Sequence, residues 1–130
     1  MTSTSPGPLV LIVDDNEKNL KLARDVLRAA GFRTLDAAHG AEALAMAAEH
    51  LPDLVLLDLR LPDMDGTDVA RRLKDRTRTR GIPVVALSAL RPSGDAAQLR
   101  AAGFAGYLQK PISVAAFPDQ VRGYCLVGGS

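Results

Sequence analysis

Five residues have the types and positions to do chemistry together: Asp14, Asp15, Asp58, Ser88 and Lys110. Asp58 closes the stretch Asp53-Leu54-Val55-Leu56-Leu57-Asp58, where apolar residues run unbroken into a carboxylate. Asp14-Asp15 follow Leu9-Val10-Leu11-Ile12-Val13 in the same way, Ser88 ends the run from Ile82, and Lys110 follows Phe104 to Gln109. Aspartate can act as a covalent nucleophile toward a phosphoryl group. Such a reaction needs cations to neutralise the phosphoryl oxygens and a hydroxyl to donate to one of them. Taken singly, each residue has an ordinary explanation; Asp58 alone reads equally as a solvated strand end or a helix cap. The set is what matters. Three carboxylates brought close repel one another, Lys110 supplies one positive charge, and a hard divalent ion would supply the rest. Mg²⁺ suits a site of few carboxylates, some water and a phosphoryl group.

The elements that must position these residues follow from patterning. Short apolar runs bounded by turn residues suit strands buried on both faces of a parallel sheet. Residues 1–8 form a small polar leader, and Leu9–Val13 is the first strand. Asn16 is a good N-cap for a helix in which Leu20, Ala23, Val26, Leu27 and Ala30 recur at helical spacing, with Gly31 as its stop. Phe32 to Ala37 is a second, less apolar strand, placed near an edge. Gly40 to His50 is an alanine-rich helix with Leu44 and Ala48 inward, and Pro52 breaks it before the Asp58 strand. From Thr67 a third helix turns Val69, Ala70 and Leu73 inward, with Arg71, Arg72, Lys74 and Asp75 toward solvent. A polar loop, 76–81, leads to the strand Ile82–Ser88. Ser93 opens a helix to Ala102, Phe104 to Gln109 is the fifth strand, and Ser113 begins a final helix. Pro118 falls in that helix, so either the regular helix starts only near Phe117 or the segment is kinked. His39 and His50 read as solvated loop and helix-end residues.

Five strands alternating with five helices through short connections predict an α/β fold: a doubly wound five-stranded parallel sheet with right-handed crossovers. In such a sheet, strands one, three, four and five end at one crevice, where the strand order switches. The domain spans 9–124, with 125–130 as a short tail.

The 130 residues suffice for one domain with a real core. With 16 basic and 15 acidic side chains the net charge is only +1, so bulk charge gives no reason to expect direct nucleic-acid binding. No apolar run reaches membrane-spanning length, and the single cysteine, Cys125, cannot form an internal disulfide. A cytoplasmic protein without a membrane partner is expected.

Val13-Asp14-Asp15-Asn16, Asp58 followed by Leu61-Pro62-Asp63-Met64-Asp65-Gly66, Ala86-Leu87-Ser88-Ala89, and Tyr107-Leu108-Gln109-Lys110-Pro111 together resemble the response-regulator receiver domain of bacterial two-component signalling. The resemblance spans about 9–124 and implies the flavodoxin-like receiver fold. It implies Asp58 as phosphoacceptor, with a histidine kinase or histidine phosphotransfer protein as donor. Asp15, Asp58 and the Arg60 backbone carbonyl would bind Mg²⁺ directly, and Asp14 would act mainly through metal-bound water. Ser88 would close on the phosphoryl group, Lys110 would pair with it, and Tyr107 matches the aromatic switch. The Lys110–Pro111 bond is cis in the family. Arg60 and Leu90 stand at the variable positions that tune dephosphorylation. Such a protein is not an enzyme acting on outside substrates, although it assists its own phosphorylation and dephosphorylation.

The departures concern output. Many DNA-binding members carry two acidic residues before the tyrosine, and Ala105 and Gly106 stand there instead. Without those acids, and with Pro118 in the final helix, a monomer is expected even when phosphorylated. Only twenty residues follow Lys110, too few for a DNA-binding module. The signal would pass to a protein partner that the sequence does not name, from a stand-alone receiver or from a module of a hybrid histidine kinase. A phosphohydrolase of the haloacid-dehalogenase type shares the chemical parts, but it needs a second Asp two residues after the nucleophile, and Arg60 stands there. An FMN carrier could share the fold, but Asp14 and Asp15 would repel the FMN phosphate.

Overall fold

The computed structural model describes residues 7–88, 99–110 and 112–129, the side chains of Ser88 and 126–129 excepted. Its strands are β1 (Leu9–Val13), β2 (Arg33–Ala37), β3 (Leu54–Asp58), β4 (Val84–Ser88) and β5 (Gly106–Gln109), all parallel, in the order β2-β1-β3-β4-β5. The helices, labelled in chain order, are α1 (Glu17–Ala29), α2 (Gly40–His50), α3 (Gly66–Asp75) and α4 (Phe117–Gly129). The helix expected from Ser93 lies mostly outside the described residues; 99–101, near its end, are helical.

Alternation along each strand builds two cores, because successive side chains point to opposite faces. Leu11, Val13, Val55, Leu57, Val84 and Ala86 pack toward α2 and α3, onto Ala43, Leu44, Ala47, Val69 and Leu73. Val10, Ile12, Leu54, Leu56, Val85 and Leu87 pack toward α1 and α4, onto Ala23, Leu27, Phe117 and Val121. Strand β3 is buried along its whole length, as its unbroken apolar run predicts. Each of its leucines is worth roughly 1.5–3 kcal/mol of burial. Strand β2 is the less buried edge.

Local chemistry sets the boundaries. Asn16 caps α1 through its side chain, accepting from the Lys18 and Asn19 amides, and Gly31 at φ 97° lets the chain leave the helix. His39 is more than a solvated loop residue: it is the N-cap of α2, its Nδ1 accepting from the Glu42 amide. Ala48 is only half-buried, and Ala43 and Ala47 join Leu44 on the inner face instead. Lys74 also departs from its expected place in solvent. Its Nζ donates to the Arg80 and Ile82 carbonyls at 3.1 and 3.0 Å, and burial lowers its pKa. Strands β4 and β5 start two residues later than the apolar runs that announce them.

For the final helix the later start holds. The Phe117 amide donates to the Ser113 carbonyl across a turn, and the regular helix begins at Phe117. Pro118 therefore sits in the first turn, where its missing N–H would have had no helical partner. The helix continues through Gly123 to Gly129, so most of the segment read as a tail is helical.

Candidate functional site

The strand register brings the chemistry-bearing residues to one edge. Val13 lies opposite Leu57, Asp58 opposite Leu87, and Ser88 opposite Gln109. Asp14, Asp58, Ser88 and Lys110 thus stand at or just beyond the carboxyl ends of four adjacent strands. Asp14 is 2% exposed and Asp58 9%, while Asp15 is exposed at the rim. One carboxylate oxygen from each of these three aspartates lies within 4.8 Å of the others.

Lys110 holds the two buried acids together. Its Nζ donates to Asp14 Oδ2 at 3.1 Å and to Asp58 Oδ2 at 3.0 Å. The other Asp14 oxygen accepts from the Asn16 amide at 2.9 Å, and Asp58 Oδ1 accepts from the Arg60 amide at 3.1 Å. Burial, joined by the Asp14 charge, leaves the Asp58 pKa above its ordinary value despite the Arg60 and Lys110 bonds. Burial alone would lower the Lys110 ammonium, but its bonds to Asp58 and Asp14 leave it raised. Three carboxylates against one ammonium leave a local charge of about −2 in a partly desolvated crevice, a cost that a cation would relieve. The donors are hard oxygens, few in number and partly open to water at Asp15, which fits Mg²⁺.

The loop after β3 is fixed from both sides. The Gly66 amide donates to the Leu59 carbonyl at 2.9 Å, and Arg60 bridges to Asp65. A Cβ on Gly66 would lie 2.6 Å from the Asp58 carbonyl oxygen and 2.8 Å from Leu59 Cα, so only glycine allows this backbone approach. Asp63 accepts from the Gly40 amide at 2.7 Å and the Ala41 amide at 3.0 Å, placing a carboxylate on the first turn of α2. These two backbone bonds hold the Asp63 carboxyl below the ordinary carboxylate range. The anchoring roles of Asp63 and Gly66 are absent from the sequence reading, because partners 23 residues away leave no local pattern. The available signal was weak: the first turn of α2 lacks a Ser, Thr, Asp or Asn cap of its own.

Ser88 reaches the expected strand end, its side chain outside the description, as are Ala89, Leu90 and Pro111. Tyr107 is half-buried against the α2–α3 core. It shares a cavity of about 160 Å³ with Leu99, Phe104 and Tyr124. A Cβ on Gly106 would overlap the Tyr124 hydroxyl, so this position is covered by a ring from α4.

The family model of the response regulator receiver domain matches residues 10–122. The polar-differentiation response regulator DivK of Brucella anthropi is 44% identical over 115 residues, covering 88% of this chain and 94% of that protein. The receiver domain of the sensor histidine kinase PA1611 of Pseudomonas aeruginosa, solved with magnesium coordinated in its active-site cleft, is 32% identical at a TM-score of 0.81. That alignment covers 95% of this chain and 99% of the solved one. The receiver domain of the Francisella response regulator 1452 aligns at 26% identity and a TM-score of 0.85, covering 93% and 98%.

Proposed function

Because the chain belongs to the response regulator receiver family, we propose that its phospho-accepting role is carried by Asp58, with Lys110, Ser88 and a Mg²⁺ ion around it. The observation that carries this reading is the Lys110 ammonium spanning Asp14 and Asp58 at the ends of adjacent buried strands. An Asp58 carboxylate oxygen attacks the phosphorus of a phosphohistidine on a histidine kinase or phosphotransfer protein. The P–N bond breaks, the imidazole leaves with its electron pair, and an acyl phosphate remains on Asp58.

The Arg60 amide and Lys110 fix the plane of the Asp58 carboxylate for attack. Asp15, Asp58 and the Arg60 carbonyl would hold Mg²⁺, with Asp14 as a further, less direct anion. The bound ion supplies charge neutralisation of the phosphoryl oxygens. Lys110, already charged and held over Asp58, pairs with one of those oxygens once transfer has occurred. Ser88 donates its hydroxyl to another, and Tyr107 follows that movement.

Incubation with Mg²⁺ and acetyl phosphate should add the mass of one phosphoryl group, and Asp58→Asn should add none. Labelling of that variant at wild-type level would place the acceptor elsewhere. Among the described residues no helix is long and apolar enough to cross a membrane. The output of the switch is a changed protein-binding surface. The Tyr124 ring over Gly106 supports a monomer in both states, because it fills the place of an acid that supports pairing in many DNA-binding members of the family. Light scattering with and without beryllofluoride should give one monomer mass; a dimer mass with beryllofluoride would overturn this.

A further inference from the structure

We propose that the end of the molecule remote from Asp58 is a docking surface for an acidic protein segment that carries an apolar side chain. The near-neutral total charge conceals a polar distribution. Residues 71–80 hold six of the 16 basic side chains and one of the 15 acids, so this stretch is +5 and the rest of the chain −4. It forms the last turns of α3 and the turn before β4, at the edge where the strands begin.

Arg72, Arg76, Arg78 and Arg80 are exposed there. Arg71 pairs with Asp68, but among the described residues no carboxylate pairs with these four. Basic residues in the last turn of a helix are expected against its carbonyl end, which accounts for Arg72 and Lys74. It does not account for Arg76 and Arg80 beyond the helix.

The backbone that displays them is stiff. The Thr79 hydroxyl donates to the Leu73 carbonyl at 2.7 Å, and Lys74 ties both Arg80 and Ile82. A rigid display lowers the ordering cost of binding. Arg78 Nε donates to the Ala48 carbonyl at 2.8 Å, bringing the end of α2 into the same patch.

Leu51 stands at that end with φ 49° and ψ 63°, in the left-handed region, and is 44% exposed. Glycine or asparagine would hold this position at less cost. A strained leucine whose side chain is not buried is explained neither by the helix end nor by the core. An exposed apolar anchor at the same end of the molecule as these guanidinium groups has the anatomy of a protein interface. Guanidinium forks match carboxylates two bonds at a time. A nucleic acid would leave Leu51 without a role, and a membrane surface would need more than one apolar side chain.

The probe is a fluorescein-labelled helical peptide of about twenty residues, built of Glu, Ala and Leu with leucines four apart. Binding should shift amide NMR signals of 48–53 and 71–81, leave those around Asp58 in place, and weaken with added salt. R72Q/R76Q/R80Q and L51G should each lower affinity about tenfold, with the L51G urea midpoint not lowered. Failure of the peptide to bind, or binding indifferent to L51G, would overturn the proposal. Tighter binding to a duplex of about twenty base pairs, or to phosphatidylglycerol vesicles, would reassign the surface to that partner.

Discussion

Asp63 shows how one side chain ties the loop after β3 to a neighbouring helix. It lies between Asp58 and α3, yet both its oxygens accept from the first turn of α2. The carboxylate form makes these bonds, so its folded pKa lies below the unfolded value of about 3.9. The sign follows from linkage: the stabilisation is complete above the unfolded pKa and is lost as the pH falls through the lower folded value. Asp63→Asn should therefore denature at lower urea than the parent at pH 7, and the gap should close below about pH 4. A gap independent of pH would assign the contact to shape rather than charge. Cys125 is a residue of the opposite kind: burial pushes its thiol up to about 11, which makes it a packing residue and a poor nucleophile.

At the scale of elements, the turn between α3 and β4 is held by few but specific bonds. Thr79 is fully buried, and its hydroxyl satisfies the Leu73 carbonyl at the end of α3. Thr79→Val keeps the shape and removes the donor, leaving that carbonyl unpaired. The expected loss is about 1–2 kcal/mol, read as a lower urea midpoint at unchanged slope. Little or no loss would mean that water replaces the hydroxyl. Because this turn also displays the arginine patch, the same substitution would loosen a surface remote from Asp58. The final helix makes a related point. Pro118 is tolerated in its first turn, where no backbone bond is lost, and Phe117 beside it is fully buried.

At the scale of the whole molecule, the acidic crevice is a destabilising feature that a cation converts into a stabilising one. A ligand that binds only the folded state raises stability by mass action, by about 2.7 kcal/mol at a hundred times its dissociation constant. Mg²⁺ should therefore raise the melting temperature, and Asp15→Asn should lose most of that rise while melting no lower than the parent in chelator. An undiminished shift in the variant would put the ion elsewhere. The two ends of the molecule carry opposite charge, with the carboxylates at the strand ends and the arginines at the strand starts.

The strands and their sheet were legible in the sequence because a strand buried on both faces must be apolar throughout, and Leu54 to Leu57 can be little else. The convergence of the candidate residues was legible for a related reason: parallel strands all end on one side, so residues just past the apolar runs must meet there. The helix starts at Asn16 and Phe117 were equally local, set by a capping side chain and a proline. What the sequence could not determine were interactions whose partners lie far apart along the chain. Asp63 on the start of α2, Lys74 under the loop before β4 and Tyr124 over Gly106 depend on how helices pack across the sheet. Packing sets those distances, and no local pattern of polar and apolar residues encodes them. The Lys110 bridge stands between the two cases: topology brings it to the edge, and only the tertiary structure decides that it spans Asp14 and Asp58 together.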